Sequence, residues 1–156
     1  MGSFAEDCAE KYQFTREAQD DYALRSLIRA REAQSSGAFE NEITPFNLAR
    51  KKGNYAVMQD EQPLNAKPEK IPHLKPAFRA DGSVTAANAS SISDGAAALI
   101  VASQTHMQQA GLPCRARILG HASHAQEPAW FSTAPIFATR KLLDRLNWRV
   151  EDVDLW

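Results

Sequence analysis

Cysteine is scarce in this chain: its 156 residues hold two, Cys8 and Cys114. Two such residues make no disulfide framework, which suits a reducing compartment. Charge of one sign is lacking too. A formal net charge of −1 at pH 7 provides no field to hold nucleic acid or an anionic membrane. No apolar run approaches the roughly 20 residues that span a bilayer. Met1-Gly2-Ser3 leads straight into an acidic segment. No secretory or organellar presequence is therefore expected, and the cytoplasm is the expected location, with mitochondrion and peroxisome left open. Gly-rich phosphate loops, G-x-S-x-G elbows, repeats and low-complexity stretches are absent as well.

Metal chemistry has little to build on. His121 and His124 stand three apart with Glu127 as the nearest carboxylate, short of the three or four converging ligands a metal needs. An extended segment would turn the two to opposite faces. His73 and His106 are isolated. Cys114 has no histidine near it in sequence and precedes an expected strand, so a buried thiol is expected there. Cys8 is expected to be a small packing residue.

What is present reads as ordinary soluble chain, 44% hydrophobic and long enough for one domain with a modest core. Ser3 with Glu6 forms a capping-box pattern for a helix from Phe4 to Lys11. Thr15 caps a longer helix from Arg16 to about Gln34, stopped by Gly37. On it Ala23, Leu27 and Ala30 share a face widened by Leu24, opposite a solvated face of Asp21, Arg25, Arg29 and Glu32. Glu42–Phe46 and Tyr55–Met58 read as short strands about a turn at Lys51–Asn54. The lysine pair in that turn is read as solvated. Pro63, Pro68, Pro72 and Pro76 argue against regular structure over 59–76. Ser103 caps a helix ending at Gly111, and Arg115–Ser123 alternates like a strand. Pro135 opens a helix through Asn147, and Val150–Trp156 reads as the start of a strand.

The most informative stretch is Asp81–Ser103. Asp81-Gly82 is turn chemistry. Thr85–Asp94 is small and polar, and Gly95–Ala102 is small and apolar, read as a strand buried on both faces or a tightly packed helix start. Such a loop lets a ligand's chain lie close to the backbone. Composition alone favours a tightly packed crossing of two elements.

Thr85-Ala-Ala-Asn-Ala-Ser-Ser-Ile-Ser-Asp-Gly-Ala-Ala-Ala98 is similar to the T-A-G-N-A-S-G-I-N-D-G-A-A-A signature of the thiolase family. Met1-Gly2 with Ala5-Glu6 and Ala9-Glu10 resembles that family's M-G-x-x-A-E-x-x-A. Thr15-Arg-Glu-Ala-Gln-Asp20 resembles its S-R-E-E-Q-D, and Lys75-Pro-Ala-Phe78 with Asp81-Gly82 its K-P-A-F-x-x-D-G. Pro135-Ile136, Ala138, Arg140-Lys141 and Asp152-Val-Asp-Leu155 resemble its G-P-x-P-A-x-R-K and D-I-D-L. The matches run through the whole chain in order.

The resemblance implies an α/β protein: a partial thiolase-like layered fold, with a helical and loop lobe that binds coenzyme A (CoA) and part of a mixed-sheet core. It implies a loop lobe over 1–92, the end of a first core half over 93–112, and the start of a second over 113–156. Thiolases make or cleave the carbon–carbon bond of a 3-ketoacyl-CoA, with one cysteine carrying the acyl group and another moving the proton. The motifs holding those groups lie outside the matched segment, so no catalytic residue is expected here and the chain alone is expected to be inactive. By the resemblance Ser90 contacts the pantetheine arm, Ala86 lets the arm pass, Phe78 and Leu74 line the groove, and Met1 lies at the acyl pocket. No metal or prosthetic group is implied; CoA or acyl-CoA is the substrate, and the full-length form is a homo-oligomer with no nucleic acid or membrane partner. Leu64 stands where the family often has an adenine-stacking arginine, and Ser91-Ile-Ser-Asp94 and Phe131-Ser-Thr-Ala-Pro135 replace glycine-bearing motifs. A CoA-binding fragment without chemistry and a protein-interaction module are the alternatives. An unpaired central strand would also make the isolated chain prone to associate.

Overall fold

The computed structural model describes residues 1–51 and 53–156. They divide into two compact units, Met1–Ser91 and Ile92–Trp156.

The first unit begins with helix α1 (Gly2–Lys11) and helix α2 (Arg16–Ser35). Thr15 caps α2 as its position predicts, its hydroxyl accepting from the Ala18 amide at 3.1 Å. Past the end of α2, Gly37 takes φ +70°, the left-handed backbone that a helix stop favours. The face of Ala23, Leu24, Leu27 and Ala30 is half-buried, and Asp21, Arg25, Arg29 and Glu32 face water.

The expected capping box on α1 does not form. Met1 is the N-cap and no side chain satisfies the first turn. Glu6 is taken elsewhere. Only 3% exposed, its carboxylate accepts from the amides of Ser83 and Val84 at 2.9 and 3.0 Å. This long-range demand outcompetes the local one, because a buried carboxylate is costly unless donors surround it.

Strands β1 (Phe46–Arg50) and β2 (Gly53–Val57) pair antiparallel, from Phe46 against Val57 to Arg50 against Gly53. The first strand thus lies four residues later than its sequence reading, because register is set by the reversal beside Gly53, at φ +119°. Lys52, part of the expected turn, lies outside the described residues.

The proline-studded segment after the hairpin was expected to be irregular. It holds helix α3 (Glu61–Asn65) and a 3₁₀ turn over Pro68–His73. Asp60 caps α3 through the Gln62 amide, and proline stands in the first turn of the second piece, where its missing N–H is harmless. Their carbonyls find partners on α2. Arg31 donates to the Pro63 and Ala66 carbonyls at 2.7 and 2.6 Å, and Arg16 to those of Ile71 and Leu74 at 3.1 and 2.9 Å.

In the second unit, helix α4 (Gln104–Gln109) is capped by Ser103, whose hydroxyl accepts from the His106 amide. Helix α5 (Ala134–Leu146) carries proline in its first turn and ends at Asn147, φ +53°. Leu143 is buried, while Leu142 and Leu146 pack against Gly120. Lys141 and Arg145 donate to the carbonyls of Ser123 and His121, and the His124 ring stacks on Phe137.

Three expected strands of this unit are absent among the described residues. Segment 92–103 has no regular structure, and Leu99 and Ile100 are 90% and 94% exposed, so it is neither a buried strand nor a helix start. Segment 115–123 is likewise irregular, and 150–152 forms a 3₁₀ turn. A strand exists only through its neighbours, and here no described strand pairs with these segments. Cys114 is exposed rather than buried, for the same reason.

At Gly82 a methyl group would stand 2.2 Å from Oε1 of Glu6. That oxygen accepts from the Val84 amide, and moving it would break this bond and disturb the buried carboxylate. Gly82→Ala is expected to destabilise the chain by about 2 kcal/mol in a denaturant titration.

Candidate functional site

The first unit carries a groove of about 450 Å³. Its floor is the half-apolar face of α2: Ala23, Ser26, Leu27 and Ala30. One wall is the strap of α3 and the 3₁₀ turn, contributing Pro63, Ala66, Lys67, Lys70, Ile71 and Leu74. Facing it stand Ala86, Ala87, Ala89 and Ser91.

The small-residue wall is shaped by Thr85, which is fully buried. Its hydroxyl accepts from the amides of Ala87 and Asn88 at 3.2 and 3.3 Å, and its carbonyl from Ala89 at 3.0 Å. Asn88 answers in kind. Its Oδ1 accepts from the Thr85 amide at 2.7 Å, and its Nδ2 donates to the Ser83 carbonyl and to Asp20 at 3.1 and 3.0 Å. The result is a closed turn whose outward side chains are methyl groups. A bulky side chain at 86, 87 or 89 would fill the groove instead of lining it. Ser91 reaches the opposite wall, donating to Gln62 at 2.8 Å.

Of the residues singled out in the sequence, Leu74 and Ala86 line this groove. Ser90 is exposed and stands between two liners, Ala89 and Ser91. Phe78 lies outside the lining, its ring against Gly2, and Met1 is 86% exposed at the start of α1. Lys67 and Lys70 were missed. Their only signal is a spacing of three, which places two side chains on one side of a 3₁₀ turn. They give this wall two cations.

A second cavity of about 400 Å³ has the opposite character, with Glu6, Glu10 and Asp81 in its lining. Its cation, Arg79, is committed to Asp7 and Glu10 at 2.6 and 3.1 Å. The hydrogen bond to Asp7 raises the Arg79 guanidinium above its usual pKa. An anionic ligand is thus better matched by the lysine-bearing groove. Neither Cys8 nor Cys114 lines either cavity. Among the described residues no group of three or more His, Cys, Asp or Glu could hold a metal.

Residues 1–105 match the family model described as thiolase, N-terminal domain. The chain belongs to the thiolase family. It is 46% identical to an acetyl-CoA acetyltransferase of Pseudomonas aeruginosa, over 99% of this chain and 40% of that thiolase. It is 43% identical to a probable acetyl-CoA acetyltransferase of Dictyostelium discoideum, over 100% of this chain and 38% of the relative. The crystal structure of the Bacillus anthracis acetyl-CoA acetyltransferase superposes with a TM-score of 0.95 at 41% identity, over 99% of this chain and 40% of that one. The chain thus spans about 40% of the length of the thiolases it matches. Its fold is a partial thiolase fold, helical and loop-rich with a small sheet.

Thr85→Val removes the acceptor for two amides while keeping the volume of this thiolase turn. It is expected to destabilise the chain by about 2 kcal/mol, read as a lowered denaturation midpoint.

Proposed function

We propose that the first unit is the coenzyme A-binding lobe of a thiolase-type acyltransferase. The overall reaction joins acetyl-CoA to an acyl-CoA, releasing 3-ketoacyl-CoA and free CoA, or runs in reverse. The supporting observation is the groove itself, with a wall of alanines facing a strap that carries two lysines. A pantetheine arm is slender, has two amides and ends in phosphates. It needs a smooth channel, backbone partners and a cation at one end. Ala86 and Leu74 would line its path, and Ser90, exposed on the same loop, would offer a hydroxyl to an amide. Phe78 and Met1 are the weaker members of the set, because neither lines the groove. Residues 1–92 would form this lobe, 93–112 the end of one core half and 113–156 the start of the next.

We place no bond-making group among these 156 residues: neither cysteine is among the groove's lining residues. The chain alone is expected to bind without reacting, and a complete enzyme of this kind would be a cytoplasmic homo-oligomer using CoA thioesters and no prosthetic group. The position of the cysteines equally favours a second reading, a CoA-binding fragment with no chemistry.

Calorimetric titration of CoA into the chain tests the lobe. Ala86→Phe, which blocks the channel, is expected to weaken binding about tenfold or more, roughly 1.4 kcal/mol. Equal affinity for wild type and Ala86→Phe would overturn the assignment. Acetoacetyl-CoA with CoA should show no thioester cleavage, and turnover persisting after loss of Cys8 and Cys114 would mean that other residues carry chemistry.

A further inference from the structure

Asp20 is 7% exposed and sits on α2, where it is bonded to two residues that reach the two walls of the groove. Its two oxygens have different clients. Oδ2 accepts from Nε of Arg16 at 2.7 Å, and Oδ1 from Nδ2 of Asn88 at 3.0 Å. Arg16 uses another of its donor groups, Nη2, to hold the Ile71 and Leu74 carbonyls of the strap. Asn88 uses its remaining capacity to hold the Ser83 carbonyl and the Thr85 amide of the facing loop. The amide orientation of Asn88 follows from this pattern, since only its nitrogen can donate to a carboxylate.

We infer that Asp20 is a positioning residue that couples the two walls of the groove, so that ordering one wall orders the other. The inference rests on the groove being the ligand site for its functional meaning, but the coupling itself does not need a ligand. Arg16 and Asn88 have no hydrogen bond to each other, and both grip backbone rather than side chains. A carboxylate this buried has a large demand for donors, so displacing either partner leaves it short and shifts the other. The effect is reciprocal by linkage: what the strap does to the loop, the loop must do to the strap. A ligand seated in the groove would therefore meet two walls that close as one.

Hydrogen exchange of the full chain, read by mass spectrometry on peptides covering 67–74 and 83–91, tests this without any ligand. Arg16→Lys shortens an arm that touches Asp20 and the strap but has no hydrogen bond to the loop. It should speed exchange about tenfold in 83–91 as well as in 67–74, while α5, in the second unit, is unchanged. Asn88→Ala, at a residue bonded to Asp20 and the loop but not to the strap, should likewise speed exchange in 67–74. Asp20→Asn, which cannot accept from both partners, should free both walls together, and in its background Asn88→Ala should no longer affect the strap. Responses confined to the mutated wall would overturn the coupling, as would acceleration spread evenly through α5. Titration of CoA adds a separate reading. Arg16→Lys and Asn88→Ala should each weaken it at least about fivefold. Wild type that ignores CoA would sink the ligand assignment and leave the exchange result to decide the coupling.

Discussion

A carboxylate removed from water must be met by donors, and in this chain the donors come from far along the sequence. Glu6 is satisfied by the amides of Ser83 and Val84. Asp20 is satisfied by Asn88 and by Arg16. The two acids lie on α1 and α2, and both draw the segment 82–88 back against those helices. Apolar burial alone would not do this. The buried apolar residues of the first unit are Ala9, Ile71 and Val84, too few to specify a unique arrangement of loops. Satisfied polar networks supply the specificity instead, because each donor and acceptor has one geometry in which its demand is met.

The arginines of α2 extend this logic to the strap. Short helices end in carbonyls with no partner of their own. Arg31 covers the end of α3 and Arg16 the end of the 3₁₀ turn, so a proline-rich segment with Ile71 as its one buried apolar residue among those described is held largely through its carbonyls. The second unit lacks such a framework over 92–103. Its apolar residues, Leu99 and Ile100 among them, face water because no described strand lies alongside.

Features with local causes were legible in the sequence. Thr15 and Ser103 cap their helices, Pro135 opens α5, and Gly37 and Gly111 take left-handed backbone past helix ends. Each depends on residues three or four positions away. The capping box at Ser3 and Glu6 failed because Glu6 has a stronger claim on it 77 residues later. The strands expected at 95–102, where a helix start was the alternative, at 115–123 and at 150–156 failed because a sequence can show readiness to pair but not the presence of a partner. Leu74 and Ala86 could be matched to a groove through the family's motifs, but Lys67 and Lys70 belong to no motif. The roles of Arg16, Asp20 and Asn88 were written in the matched segments as letters without contacts.

Shape, more than charge, should decide what this groove accepts. Lys67 and Lys70 are both exposed, so their attraction for a phosphate is weakened by water and falls off over about 8 Å at physiological salt. Such charges speed encounter and set polarity along the channel; they discriminate poorly between one anion and another. The methyl groups of Ala86, Ala87 and Ala89 act differently. They fix how closely a ligand can approach the backbone, and an error there is a steric clash that salt does not screen. Their positions are set by the buried hydroxyl of Thr85 and the amide of Asn88. On the proposed reading, selectivity resides in a turn held by hydrogen bonds, and through Asn88 it is tied to Asp20, whose other partner, Arg16, holds the opposite wall.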